Sequence, residues 1–224
     1  MSEPQFAGNA LVGRWDSSML EPLAEINEAV VEVLAGAYPL GTVTAPVVNS
    51  LRWRWQALGA PARLRLAHCP YLLLDAGFAR PELWAALPRA SVNDALLPLE
   101  AGSRLKAMPT SLIRRVLLLA WHLARANRLT ARIALGMNAE CAQLLASCRL
   151  ADLECFAEQR PAFVRPRWED RPEYWHALMG AAAAEKSRDL ERLQRWGLQK
   201  LAAEALSAAV NGCSALVTLG PRLR

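Results

Sequence analysis

Between Ser17 and Ala35 the apolar residues Met19, Leu23, Ile26, Val30 and Val33 fall three and four positions apart, which places them on one face of a helix. Glu21, Glu25, Glu28 and Glu32 fill the other face, with Asp16, Ser17 and Ser18 as cap candidates. Gly36, Pro39 and Gly41 break the pattern. A second helix is predicted from about Pro46 to Leu58, ended by Gly59, Ala60 and Pro61. Its centre reads Leu51-Arg52-Trp53-Arg54-Trp55. Guanidinium and indole both stack on nucleic-acid bases, but tryptophan beside Leu51 and Leu58 more often belongs to a core.

Leucines crowd residues 61–75 around Pro70, which removes a hydrogen bond from any helix interior and predicts a kink or break there. Pro81-Glu82-Leu83-Trp84 reads as a short helix opened by proline, and Pro98 and Gly102 mark an expected boundary between two halves, 1–102 and 103–224. Beyond it Pro109-Thr110-Ser111 starts a helix with Leu112, Val116, Leu119 and Leu123 on one side, widened by Leu117 and Leu118. Short helices are predicted at 128–135, 139–147 and 150–159, too short to stand alone and therefore packed on one another. The prolines at 161, 166 and 172 predict an extended connector from 160 to 171, followed by one long helix from about Pro172 to Ser207. A brief strand at 214–219 is the only one the pattern suggests. The predicted class is all-α, a multi-helix globular protein of short helices with a long C-terminal helix.

Composition agrees with a packed protein. Hydrophobic residues make up 53% of the 224, ample for a core, and no run reaches the roughly 18 uninterrupted apolar positions that a membrane span needs. The start Met1-Ser2-Glu3-Pro4 lacks the pattern of an export signal, so a cytoplasmic location without membrane insertion is expected. Cys69, Cys141, Cys148, Cys155 and Cys213 form no CxxC pair and read as reduced, mostly buried thiols.

Charge is unevenly spread. Residues 1–32 hold six acids against one Arg, whereas no acid lies between Glu32 and Asp75 or between Glu100 and Glu140, windows that carry four and seven basic residues. Such windows attract phosphate backbones, but arginine also lies along leucine cores and pairs with a partner's acids. Arg114, Arg115, Arg125, Arg128 and Arg132 are the candidates for partner or DNA contact.

Nothing in the sequence points to catalysis. His68, His122 and His176 lie far apart, no HExxH motif, glycine-rich phosphate loop or GxSxG elbow occurs, and the seven-residue spacing of Cys141, Cys148 and Cys155 fits core thiols better than a tetrahedral metal site. The expectation is a non-enzyme without cofactor or metal. A helix–turn–helix is conceivable over Leu129 to Ala146, yet its second helix carries Glu140 and Gln143 and no Arg or Lys, which argues against direct base reading.

Residues 117–168 carry Leu117-Leu118-Leu119-Ala120, Leu135-Gly136-Met137-Asn138, Leu145-Ala146, Ala157-Glu158 and Arg167-Trp168, which in order and spacing resemble the flagellar transcriptional activator subunit FlhD. A looser likeness through Ser187-Arg188-Asp189-Leu190 extends it over about 111–206. The resemblance implies an all-helical homodimer that joins an FlhC-like subunit carrying much of the DNA contact. It makes Ser187 and Arg188 candidates for partner or DNA engagement. The homodimer core is expected at Leu112, Val116, Leu119 and Leu123, because that helix is apolar more broadly than one core-facing stripe requires. The expected function is a transcriptional co-regulator of flagellar or motility genes acting through its partner, with weak, non-specific duplex DNA binding by the chain alone; the alternative is a cytoplasmic helical adaptor of a bacterial secretion or motility apparatus.

Overall fold

The computed structural model describes residues 17–36, 50–85, 108–159, 163–184 and 187–217, without the side chains of 17–19, 187 and 205–217. In chain order the elements are α1 (Ser17–Leu34), α2 (Arg52–Ala57), α3 (Ala60–Ala67), β1 (Leu74–Asp75), α4 (Pro81–Ala85), α5 (Thr110–Ala126), α6 (Arg128–Leu135), α7 (Ala139–Ser147), α8 (Leu150–Gln159), β2 (Arg165–Pro166), α9 (Pro172–Ala183) and α10 (Ser187–Val217). The protein is all-α. Helix α5 runs against α1, α6, α7 and α8, while α1 also packs on α3, α3 on α9, and α10 on α9 and α6.

The helices of the α5–α8 hairpins start and stop where local chemistry dictates. Asn127 Oδ1 accepts from the Thr130 amide to cap α6, and Asn138 Oδ1 accepts from the Cys141 amide at 2.6 Å to cap α7. Between them Gly136 turns the chain at φ +62°, where a Cβ would meet Leu201 and Arg167 side chains under 3.0 Å away.

Elsewhere the structure departs from the periodicity. Within the second predicted helix Arg52–Ala57 is one helix, Ser50 is helical ahead of a turn at Leu51, and positions 46–49 and the boundary near Pro98 and Gly102 lie outside the described residues. The long final helix is two, α9 and α10, because the chain leaves the helical path at Ala184 and restarts at Ser187. Residues 214–217, expected as part of a strand, continue α10, and 218–219 lie outside the described residues. The connector contains the unexpected strand β2, which pairs antiparallel with β1 through Leu74↔Pro166 and Asp75↔Arg165.

The expected two halves share one apolar core, in which Leu23, Val30, Leu66, Leu72 and Trp84 lie in a single cluster with Ile113, Val116, Leu135, Phe156 and Trp175. Two buried polar side chains fasten the stretch 67–74, from the end of α3 into β1, to it. Asn27 of α1 donates to the carbonyls of Ala67 (3.2 Å), Cys69 (3.4 Å) and Tyr71 (2.9 Å) and accepts from the Leu73 amide (2.9 Å). Arg167 donates to Leu72 O (2.8 Å), Leu74 O (2.9 Å) and Leu135 O (2.8 Å). Backbone groups without a regular ladder are thus satisfied by side chains distant in sequence.

Candidate functional site

The four leucine-type residues expected to hold a dimer are spent inside the chain. Leu112, Val116, Leu119 and Leu123 are all buried, because α1, α6, α7 and α8 surround that side of α5. The breadth of the apolar face reflects several intrachain neighbours, so these four residues offer no surface to a second copy.

The arginine candidates divide among three helices. Arg114, Arg115 and Arg125 stand on the outer face of α5; Arg128 is exposed at the start of α6, Arg132 is half-buried near its end, and Arg188 is exposed at the start of α10. The Ser187 side chain lies outside the described residues. Arg114 Nη2 reaches Glu158 Oε1 of α8 at 2.6 Å. The window between Glu32 and Asp75 is also partly engaged: Arg63 donates to Leu58 O and Arg65 to Ala182 O, both at the ends of neighbouring helices. Arginines of the two windows therefore serve different local surroundings.

What α5 does expose is one coherent strip. Leu118 is 46% exposed and sits at its middle, with Arg114, Trp121 and Arg125 along one side and Arg115 and His122 along the other, as positions three and four apart must fall. The Trp121 indole N–H donates to Cys148 O (2.9 Å), fixing the ring at the α7–α8 corner, and the Arg125 guanidinium lies 4.6 Å from the ring centre. Leu150, 51% exposed, opens α8 two residues beyond that corner. Arg149 beside it is held by Asp152.

A second exposed aromatic lies on α2. Trp55 is buried against Trp175 with ring centres 5.5 Å apart, but Trp53, expected in the core with it, is 62% exposed under the Arg54 guanidinium at 4.6 Å. A helix six residues long turns alternate positions to opposite sides, and only one of two tryptophans so spaced can face inward. Leu64 of α3 is exposed as well. Exposed apolar residues thus occur on α2 and α3 as well as on α5 and α8, with an arginine over the ring of Trp53 and of Trp121.

Among the described residues the cysteines and histidines stand apart. Burial pushes the thiols of Cys69 and Cys141 up to about 12 and that of Cys148 to about 11, which keeps them protonated and weakly nucleophilic at neutral pH. The three histidines are exposed on α3's end, α5 and α9, and among the described residues no group of three His, Cys, Asp or Glu side chains could hold a metal ion. No helix among the described residues is long and apolar enough to cross a membrane. A polar cleft of about 380 Å³ beside β1 and β2 is lined by Asp75, Arg165, Trp168 and Glu169 among others. Asp75 accepts from the Gly77 and Phe78 amides and Glu169 Oε1 from Arg165, while Glu169 Oε2 is buried without a hydrogen-bond partner.

The residues that carry the FlhD resemblance lie largely in the interior. Leu135, Gly136, Met137 and Asn138 are all buried, Asn138 donates from its amide group to Ala79 O, and Arg167 spans from this turn to residues 72–74. The outward residues of α7 are Ala139, Glu140, Gln143 and Ser147, none of them basic. No protein-family model, no curated protein and no solved structure matches the chain. The resemblance rests on the residues quoted for it.

Proposed function

We propose that this chain is a non-enzymatic docking subunit, an adaptor that joins protein partners within a bacterial secretion or motility apparatus. The observation that carries the reading is a set of exposed apolar residues beside arginines at two places on a closed core, Trp53 under Arg54 on α2, and Leu118 with Trp121 and Arg125 on α5. Tryptophan and arginine are among the residues that concentrate binding energy in protein interfaces, and exposed apolar patches beside them mark contact surfaces. Two such places suit a subunit that holds one partner on each. The motility setting comes from the resemblance of residues 117–168.

The test is purification of the tagged chain from its source cells, in the wild type and in the single variants Trp53→Ala and Leu118→Asp. Each variant is expected to lose a different component of the apparatus while retaining the other. Loss of nothing in either variant, or recovery of no apparatus protein, refutes the adaptor.

The second reading is the transcriptional co-regulator with an FlhC-like partner, favoured by the fold of 128–147 as two capped helices about the Gly136 turn. It requires an FlhC-like chain and promoter DNA to co-purify. On that reading the chain alone retains duplex DNA weakly at low salt, and Arg114→Glu with Arg115→Glu abolishes the retention.

A further inference from the structure

The outer strip of α5 has a length, a charge and an apolar centre, and together these describe an occupant. Arg115 and Arg125 are ten residues apart on one helix, about 15 Å along its axis. Between them stand Leu118 and the half-buried Trp121, flanked by His122. The strip itself contains no acid. On the adjoining α8 two acids are already taken, Glu158 by Arg114 and Asp152 by Arg149, leaving Glu154 as the exposed carboxylate of that helix's outer side. The strip thus presents an apolar seat between two outward guanidiniums.

We propose that this strip docks an acidic amphipathic helix of a partner protein. The helix lays leucine-type side chains on Leu118 and Trp121 and brings two carboxylates, ten or eleven residues apart in its own sequence, to Arg115 and Arg125. Charge complementarity selects this occupant over others. A phosphate backbone would meet the guanidiniums but leave Leu118 and Leu150 against a polar ribbon, losing the apolar burial that makes such a face worth covering. The acidic face of α1 in a second copy, Glu21, Glu25, Glu28 and Glu32, offers charge at helical spacing but exposes no large apolar side chain among those glutamates to fill the seat.

The proposal rests on the docking-subunit reading and names the site and chemistry of one of its two faces. A photo-crosslinking benzoylphenylalanine placed at position 118 of the full chain in its source cells tests it, since the position is exposed and tolerates an aromatic ring. The expected product is a crosslink, mapped by mass spectrometry, to a segment of another protein with leucine-type residues bracketed by acids ten or eleven positions apart. Adding Arg115→Glu and Arg125→Glu should lower its yield by about ten-fold with an unchanged circular-dichroism melt. A crosslink to nucleic acid, to this chain's own peptides or to a segment without those acids overturns the proposal, as does no crosslink at all. If apparatus proteins still co-purify when no crosslink forms, the adaptor stands and only this site falls. If the crosslinked acidic helix belongs to a promoter-binding subunit, the site stands and the adaptor falls.

Discussion

Arg167 and Arg125 are the same residue type put to opposite uses. Arg167 is buried and spreads its donors over three carbonyls from two distant stretches, while Arg125 lies outside on α5 with its guanidinium over an indole ring. Burial pulls the Arg167 pKa down, and the carboxylates of Asp75 and Glu204 oppose that pull. A buried charge without partners is costly, and Arg167 offsets that cost by donating from Nε and Nη2 to three carbonyl oxygens. The seam around it holds the fold, and the outer face of α5 is left available. The lesson is that the count of arginines in a window says little about a field, because the neighbours decide which of them reach solvent.

The contrast is broken most sharply by two adjacent leucines. Leu119→Asp puts a carboxylate into the core and should cost more than about 4 kcal/mol or prevent folding, whereas Leu118→Asp should leave the urea midpoint of the isolated chain unchanged and cost only partner binding. If both variants fold alike, α5 is not enclosed as described.

Arg167→Leu comes next. It strips three carbonyls of their donors and should lower unfolding free energy by about 3 kcal/mol or more in urea titration, with Arg125→Ala as the silent comparison. Asn27→Leu removes four hydrogen bonds to 67–73 and should cost about 2–3 kcal/mol by the same measurement. An effect of Asn27→Leu no larger than that of Arg125→Ala would mean the seam is not held from α1.

The smallest effect is a pH slope. Cys69 is raised from the ordinary 9 to about 12 by burial, so below pH 9 both folded and unfolded thiols are protonated and the term is constant. Above it the unfolded thiol ionises and the folded one does not. Stability is therefore lost as pH rises toward 12, by about 1.4 kcal/mol per pH unit. Comparing urea midpoints at about pH 8 and pH 10, wild type should fall more steeply than Cys69→Ala, and a thiol reagent should modify half-exposed Cys155 well before Cys69.

Where the sequence could be read, the reason is local. The limits of α6, α7 and α8 follow from Asn127, Gly136, Asn138 and the Arg149–Asp152 pair, all within a few residues of the ends they set. The interior role of Arg167 depends on carbonyls 32 to 95 residues away and leaves no trace in spacing. The split between Trp53 and Trp55 depends on where Trp175 sits, and the β1–β2 pairing on a connector whose prolines argued only for extension. Of the candidate site, Arg114, Arg115 and Arg125 were legible as a basic run. The seat between them was not, because Leu118 and Leu119 are alike in sequence and differ only in what surrounds α5.

The approach of α10 to the body of the protein depends on Gly197, where a Cβ would lie 2.7 Å from both the Tyr71 and Tyr174 hydroxyls, and these two hydroxyls hydrogen-bond each other. Together with Arg167 this ties residues near 71 to elements far later in the chain. During synthesis at about 5–20 residues per second, the stretch 67–74 is made roughly 5–20 seconds before Arg167 exists to donate to its carbonyls. Until the second half arrives, that stretch and its run of leucines lack the side-chain donors that satisfy their carbonyls in the finished fold.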